Sequence, residues 1–260
     1  MTPLRLGLLG YGKMGRAVEA ELQAQISGES AAATRNPAAL TLAWTLDDGV
    51  SSGQLQEAFG QADVVIEFSR PEAAVGNILA ALQAGTPVVV GTTGWYEQLP
   101  RVREACLAHS GAVLYAPNFS IGVNLFFALQ EYATLLLARY PRYRVSLSET
   151  HHTAKLDAPS GTAIHLAESV IARHPDYDRW ALVGNGASDP VLGTLPVEAQ
   201  RKADVPGTHQ LRFSSPEDHI LLEHAAHNRV GFARGALEAA RWLPGRQGVF
   251  TMRDLLELGS

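Results

Sequence analysis

Two adjacent imidazoles and an ammonium, His151, His152 and Lys155, stand just before the run Asp157-Ala158-Pro159-Ser160-Gly161-Thr162-Ala163. Apolar residues then recur at helical spacing through Ala163, Ile164, Leu166, Ala167, Val170 and Ile171. That periodicity sets a helix start at the Pro-Ser-Gly-Thr turn. Ser160 or Thr162 is placed to cap it through a side-chain hydroxyl. Free backbone N–H groups at a helix start, with the dipole behind them, attract carboxylate or phosphate. The histidines and Lys155 add cationic and proton-donating groups beside that pocket. The chemistry to expect is the binding of an acid with a proton donor in reach, and an imidazole titrating near neutral pH suits that donor. Taken singly, each piece has a plainer reading as a cap, a packed or surface imidazole, or a solvated lysine. Their density within about a dozen residues is what favours a site.

The elements around the run must position it. Arg144-Val145-Ser146-Leu147-Ser148-Glu149 alternates polar and apolar, a strand with one buried face. If strand geometry continued, His151 and His152 would point to opposite faces, so both serve one site only if the strand ends there. Before it, Ile121–Tyr140 reads as a long apolar helix stopped by Pro141. After it, Tyr177–Asp204 is rich in Gly, Pro and Asp and reads as loops with short strands. His209–Phe213 and His219–His224 read as strands of the same second sheet, Arg234–Leu243 as a helix, and Gly248–Leu256 as a last strand and helix.

The amino-terminal stretch carries a second chemical signal. A buried strand, Leu4–Leu9, runs straight into Gly10-Tyr11-Gly12-Lys13-Met14-Gly15 and then into a helix with Met14, Val18 and Leu22 on one face. This is G-x-G-x-x-G between strand and helix, the context that gives it meaning. Gly10 permits the tight turn, Gly12 lets a pyrophosphate approach the backbone, and Gly15 lets helix and strand pack. A second strand is expected near Ala31–Thr34. The acidic residue that accepts ribose hydroxyls about twenty positions past the glycines is missing from Ala33-Thr34-Arg35-Asn36. Thr34 and Arg35 are placed instead to meet a 2′-phosphate, which favours NADPH over NADH.

Strand and helix signals then alternate: Thr41–Leu46, Gln54–Phe59, Asp63–Phe68, a helix through Ala74, Ile78 and Leu82 to Gly85, Pro87–Val90, another helix, and Ala112–Tyr115. That alternation implies a parallel sheet, with ligands beyond the carboxyl ends of its strands. Gly10–Gly15, Phe68–Arg70, Gly91-Thr92-Thr93 and Ala116-Pro117-Asn118-Phe119 all fall on that rim.

The remaining observations mostly exclude. The net charge is −5 over 260 residues, with no basic stripe for nucleic acid. Apolar runs are too short for a membrane span. The start runs directly into a strand, leaving no room for a signal peptide, and the single cysteine, Cys106, reads as packing in a reducing cytoplasm. His224 and His227 stand three apart without an HExxH or Cys/His cluster, so no metal site is expected. A hydrolase reading of Ser160 beside His152 lacks the G-x-S-x-G elbow.

The run Glu149-Thr150-His151-His152-Thr153-Ala154-Lys155-Leu156-Asp157-Ala158-Pro159-Ser160-Gly161-Thr162-Ala163 resembles the signature E-x-H-H-x-x-K-x-D-x-P-S-G-T-A of the dihydrodipicolinate reductase family. Gly91-Thr92-Thr93-Gly94, Ala116–Asn124 and Phe232–Ala240 match it too, so the resemblance covers nearly the whole chain. It implies a reductase of a cyclic imine dicarboxylate, 4-hydroxy-tetrahydrodipicolinate, in lysine and diaminopimelate biosynthesis, with hydride from NADPH or NADH. By the motif, His151 is the proton donor, and Lys155 a second donor that also binds substrate. His152, Ser160, Gly161 and Thr162 hold the substrate carboxylates. Gly10 to Gly15, Gly91 to Thr93 and Ala116 to Phe119 line the cofactor, to which the 2′-phosphate reading above adds Arg35. The family is usually a homotetramer joined through the sheets of its second domain. The segment Ala199–His209 departs from the family's usual Arg-Gly-Gly and Gly-Glu-His pattern.

The expected architecture is α/β: a Rossmann-like dinucleotide-binding domain at 1–120 and 232–260, and an α+β substrate-binding and oligomerisation domain at 121–231. The competing readings are a non-catalytic NADP-binding sensor of the same fold and a different small-acid dehydrogenase.

Overall fold

A computed structural model of the chain describes residues 2–30, 38–47, 49–184, 191–228 and 230–259. In chain order the elements are β1 (Leu4–Leu9), α1 (Lys13–Ile26), β2 (Leu40–Leu46), α2 (Ser52–Gly60), β3 (Val64–Glu67), α3 (Pro71–Gln83), β4 (Val88–Val90), α4 (Leu99–Ala108) and β5 (Ala112–Tyr115). Then follow α5 (Ile121–Leu137), β6 (Arg144–His151), α6 (Gly161–Ile171), β7 (Tyr177–Val183), β8 (Gly193–Arg201), β9 (Gly207–Ser214) and β10 (His219–Ala226). The chain ends with α7 (Val230–Trp242), β11 (Gly248–Phe250) and α8 (Met252–Leu255). Two compact units result, Met1–Ile121 with Val230–Ser260, and Gly122–Arg229.

The first unit is a parallel sheet in the order β11-β5-β4-β3-β1-β2. Its central strands are apolar on both faces because both are covered. Leu6, Leu8, Ile66 and Leu114 pack with Val18, Leu22 and Leu237 from α1 and α7. Val65, Val90 and Val113 pack with Ile78, Leu82 and Val102 from α3 and α4. Each fully buried aliphatic side chain contributes about 1.5–3 kcal/mol. Arg234 ties the returning α7 to α1 through Glu21, Nε to Oε1 at 2.7 Å.

One expectation about this sheet changes. The stretch at 31–34, with Arg35, lies outside the described residues. The strand hydrogen-bonded beside β1 is Leu40–Leu46, and the residue at its carboxyl end is Asp47.

The second unit is a mixed sheet in the order β10-β9-β6-β8-β7, with β9 antiparallel to both neighbours and β6, β8 and β7 parallel. Val145, Leu147, Leu195, Val197, Leu211 and Phe213 face inward against α5 and α6. The opposite face carries Ser146, Ser148, Glu198, Gln200, Gln210 and Arg212 around a polar hollow of about 280 Å³. Where loops with short strands were expected at 177–204, β7 and β8 are long. The alternation of Leu195 and Val197 outweighs the glycines and prolines once β8 has a partner on each side.

The helix α5 ends at Leu137, three residues before Tyr140. It buries Val123, Phe126, Gln130, Thr134 and Leu137, a stripe at helical spacing. Leu125, Leu129, Tyr132, Leu135 and Leu136 on its other faces stay exposed. Among the described residues no helix is long and apolar enough to cross a membrane.

Candidate active site

Strand alternation builds the centre of the site. Side chains two apart on β6 share a face, so Val145, Leu147, Glu149 and His151 all point inward and are buried. Register supplies the neighbours: Glu149 lies opposite His209 on β9, and His151 beside Arg201 on β8. The strand ends at His151, where Lys202 N–H bonds its carbonyl at 2.8 Å. The chain then turns through Thr153 and Ala154, with Lys155 N–H on the His152 carbonyl at 3.1 Å. The stated condition for both histidines to serve one site, that the strand stop there, is met; His152 is half-buried just beyond it.

The carboxylate of Glu149 is the hub. Its Oε1 accepts Ser160 N–H at 3.0 Å, and Arg201 Nη1 stands 3.5 Å away. Its Oε2 lies 3.4 Å from His151 Nδ1 and 3.6 Å from His209 Nε2. Ser160 Oγ lies 3.1 Å from His209 Nε2 and accepts Ala163 N–H at 3.2 Å. Of the two hydroxyls offered as caps, Ser160 makes the cap. That leaves the first N–H groups of α6 without an intrahelical partner.

Burial pushes the Glu149 carboxyl up, but His209, Ser160 and the charge of His151 outweigh it and hold it down to about 2. For His151, burial is the largest influence and pushes it down. Glu149 opposes that, His209, Lys155 and Arg201 reinforce it, and the result is about 4. The expectation of an imidazole titrating near neutrality therefore fails for the resting protein, because the ring is buried among cations.

The ligand atoms of Glu149, His151 and His209 lie within 4.8 Å of one another, a spacing a metal ion bridges. The guanidinium beside the same carboxylate opposes a further cation.

Lys155 faces this centre from the loop after β6. Its Nζ pairs with Asp157 at 2.8 Å, the lysine side chain 23% exposed and the aspartate 59%. Arg201 holds that loop from beneath, Nε on the Lys155 carbonyl at 3.3 Å. Arg201, Gly207 and His209 all come from the segment that departs from the family pattern. The strand signals did not mark Arg201 or Gly207, and His209 was read only as strand. Inward alternation with Leu211 and Phe213 was the available signal for His209. The register that sets it opposite Glu149 is not written in either strand alone.

Gly207 has a distinct use. A Cβ there would stand 3.0 Å from His151 Nε2 and 3.2 Å from Cδ2. Gly207→Ala is expected to displace the imidazole and lower kcat about tenfold, since small misplacements of reacting groups are costly. Steady-state kinetics with a dinucleotide titration checks this: dinucleotide affinity should not change.

In the first unit, Gly12, Lys13, Met14, Gly91, Thr92 and Thr93 line a single cleft of about 420 Å³ with Phe68, Ser69 and Pro71. Gly10 has φ +87°, and a Cβ there would meet Phe68 backbone at 2.3 Å. Gly15 packs so closely that a Cβ would reach the Gly10 carbonyl at 2.4 Å, whereas nothing lies within 4 Å of one at Gly12. Helix α1 begins there with no side-chain cap. An open glycine before uncapped N–H groups fits the pyrophosphate of a dinucleotide. Tyr11 lies at the loop with its N–H on Asp47 Oδ1 at 3.3 Å. Ala116, Pro117, Asn118 and Phe119 follow β5 and do not line that cleft. Asn118 Oδ1 accepts Ser120 N–H at 2.8 Å, a local turn. At the end of β3, Glu67 is buried and accepts from Ser69 N–H at 3.1 Å and Asn77 at 3.3 Å, bracing the Phe68–Arg70 edge.

Comparison with known proteins gives a consistent result. Residues 4–119 match the family described as Dihydrodipicolinate reductase, N-terminus, and residues 122–256 match Dihydrodipicolinate reductase, C-terminus. The chain is 36% identical over 253 residues to the 4-hydroxy-tetrahydrodipicolinate reductase of Christiangramia forsetii, covering 97% of this chain and 98% of that protein. It is 37% identical over 269 residues to the enzyme of that name from Thiobacillus denitrificans, covering 98% and 99%. The dipicolinate-bound dihydrodipicolinate reductase of Paenisporosarcina sp. TG-14 shares the fold, with a TM-score of 0.72 at 22% identity over 96% of this chain and 98% of that one.

Proposed function

The chain belongs to the dihydrodipicolinate reductase family, and from that premise we propose that it reduces 4-hydroxy-tetrahydrodipicolinate to tetrahydrodipicolinate, the hydroxyl leaving as water before a reduced nicotinamide dinucleotide delivers its hydride. It is an oxidoreductase of lysine and diaminopimelate biosynthesis. One observation carries the assignment of roles: a buried imidazole, an ammonium and an open helix start meet at the carboxyl end of β6.

The dinucleotide supplies a hydride when bound. The chain's own residues do the rest. Gly161 and Thr162 offer N–H groups to a carboxylate, with His152 and the Ser160 turn beside them. Lys155 neutralises the diacid and is a second proton donor. His151 gives the proton that the reduced substrate must receive. Intact donors favour an enzyme over a sensor. Oxidation of NADH or NADPH with freshly made substrate tests the reading. Dinucleotide binding without turnover on this substrate would point to the sensor or to another small acid.

For the cofactor, we propose NADH as the preferred donor, revising the expectation drawn from Thr34 and Arg35. The support is Asp47, at the end of the strand beside β1 and bonded to the glycine loop. A carboxylate there accepts ribose hydroxyls and repels a 2′-phosphate. Asp47→Ser is expected to shift the NADPH/NADH ratio of kcat/KM toward NADPH by about tenfold, the order set by one unit charge near a phosphate at a protein surface. An unchanged ratio returns the choice to Arg35.

The cytoplasm and a homotetramer complete the proposal. The exposed apolar residues of α5 and the uncovered polar face of the second sheet support assembly with further copies of this chain.

A further inference from the structure

Glu149 has no part in the chemistry described so far, yet it is 1% exposed and sits at the centre of the site. Among the described residues, two buried atoms have no hydrogen-bond partner there, Glu149 Oε2 and His151 Nδ1. They stand 3.4 Å apart, within reach of a hydrogen bond that a small rotation of the ring would align. The other oxygen accepts Ser160 N–H at the start of α6, so a carboxylate that turned away would leave that buried N–H unpaired. On the far side of the imidazole, Nε2 faces Gly207, where no side chain stands. One ring nitrogen therefore stands beside an anion, and the other borders a position that carries no side chain.

We propose that Glu149 is the positioning residue of the proton donor: its Oε2 holds the Nδ1 proton of His151, so that the proton gained and given is the one on Nε2. This rests on the reading of His151 as donor. In the step, the Nε2–H bond breaks and the proton goes to the substrate atom left electron-rich by hydride addition. The imidazolium becomes neutral imidazole that keeps Nδ1–H on Glu149. The dinucleotide is oxidised and the substrate reduced, and water restores the Nε2 proton before the next turnover. Glu149 stays ionised throughout, orienting the ring and stabilising its charged form, as a carboxylate does for a catalytic histidine elsewhere.

The charged and titratable groups facing this pair are His209 on β9, Arg201 on β8, and Lys155 with Asp157 in the loop after β6. His224 on β10 faces His209 in turn. These remain in place in Glu149→Gln, whose side chain keeps the acceptor for Ser160 N–H. Its amide loses the charge and presents an N–H to Nδ1, favouring the opposite tautomer.

The test combines kcat against pH with ¹⁵N NMR of the imidazoles, for wild type, Glu149→Gln and His151→Gln. A general acid must be protonated, so activity falls as pH rises through its titration. Removing the anion weakens proton binding and moves that alkaline limb to lower pH. The expected result is a shift of about one pH unit or more, a loss of kcat of about 10–100-fold near neutrality, and an Nε2–H tautomer in the variant. Dinucleotide affinity and Tm report whether the fold is kept. If the variant folds poorly, the wild-type ¹⁵N spectrum decides alone, since a ring protonated at Nε2 in the neutral state overturns the proposal. An alkaline limb unmoved in Glu149→Gln also overturns it. If instead His151→Gln keeps the wild-type limb, the donor assignment itself has failed, and the tautomer measurement still judges the role of Glu149.

Discussion

His151→Gln is expected to lower kcat by about 10²–10⁴-fold, the range lost with a general acid, while dinucleotide affinity stays near wild type. Glutamine keeps the size and a hydrogen-bonding end but cannot carry and release a proton. The resting imidazole is held down to about 4, so at neutral pH it is uncharged and its removal costs no resting charge. The loss therefore falls on the chemical step. The same depression has a second consequence. A substrate with two carboxylates brings negative charge beside a ring already flanked by Glu149, and that raises its proton affinity. Binding at neutral pH should then take up a proton from solution. Calorimetry with pyridine-2,6-dicarboxylate in two buffers of different ionisation enthalpy measures this uptake, and His151→Gln should lose it. Unchanged turnover in the variant removes His151 from the donor role.

How much of this could be read from the sequence varies by element. The glycine loop was legible because strand, loop and helix are adjacent in the chain, and the same holds for the Ser160 cap and the run from His151 to Thr162. Local patterns encode local structure. Asp47 was missed because the count from the glycines assumed a short connection. The chain takes a longer one, and the second strand lies at Leu40–Leu46 instead. Glu149 was quoted in the motif without a role, although its spacing from His151 puts both on one face of a strand. His209 and Arg201 reach the site only through register across three strands, in pairings that span 60 residues for Glu149 with His209 and 50 for His151 with Arg201, and such a pairing leaves no mark on either segment. The shift of His151 away from neutrality is likewise a tertiary effect, set by burial and cations from other strands. The exposed apolar side of α5 was legible as hydrophobicity, but the sequence did not say which side the sheet would cover.

Lys155→Met is expected to cost the most in substrate binding. Met keeps much of the aliphatic stem, so the loop should keep its packing, but the ammonium is gone. In the resting site that ammonium pairs with Asp157, a partner 59% exposed. Such a pair contributes about 1 kcal/mol or less, so an arriving carboxylate displaces it at small cost. In the proposed complex the ammonium would meet the substrate carboxylate instead, in a setting drier than its pair with the exposed Asp157. There, removing one partner of a hydrogen-bonded charge pair costs about 2–5 kcal/mol. For Lys155→Met, kcat/KM for the diacid should fall by about 10²–10³-fold, mostly through KM, with dinucleotide affinity unchanged. Asp157→Asn separates the two states of the lysine. It frees the ammonium without removing it, so KM should hold steady or fall. A rise in KM for Asp157→Asn comparable to that for Lys155→Met would mean that the pair as a unit shapes the loop, and that the ammonium does not itself hold the substrate.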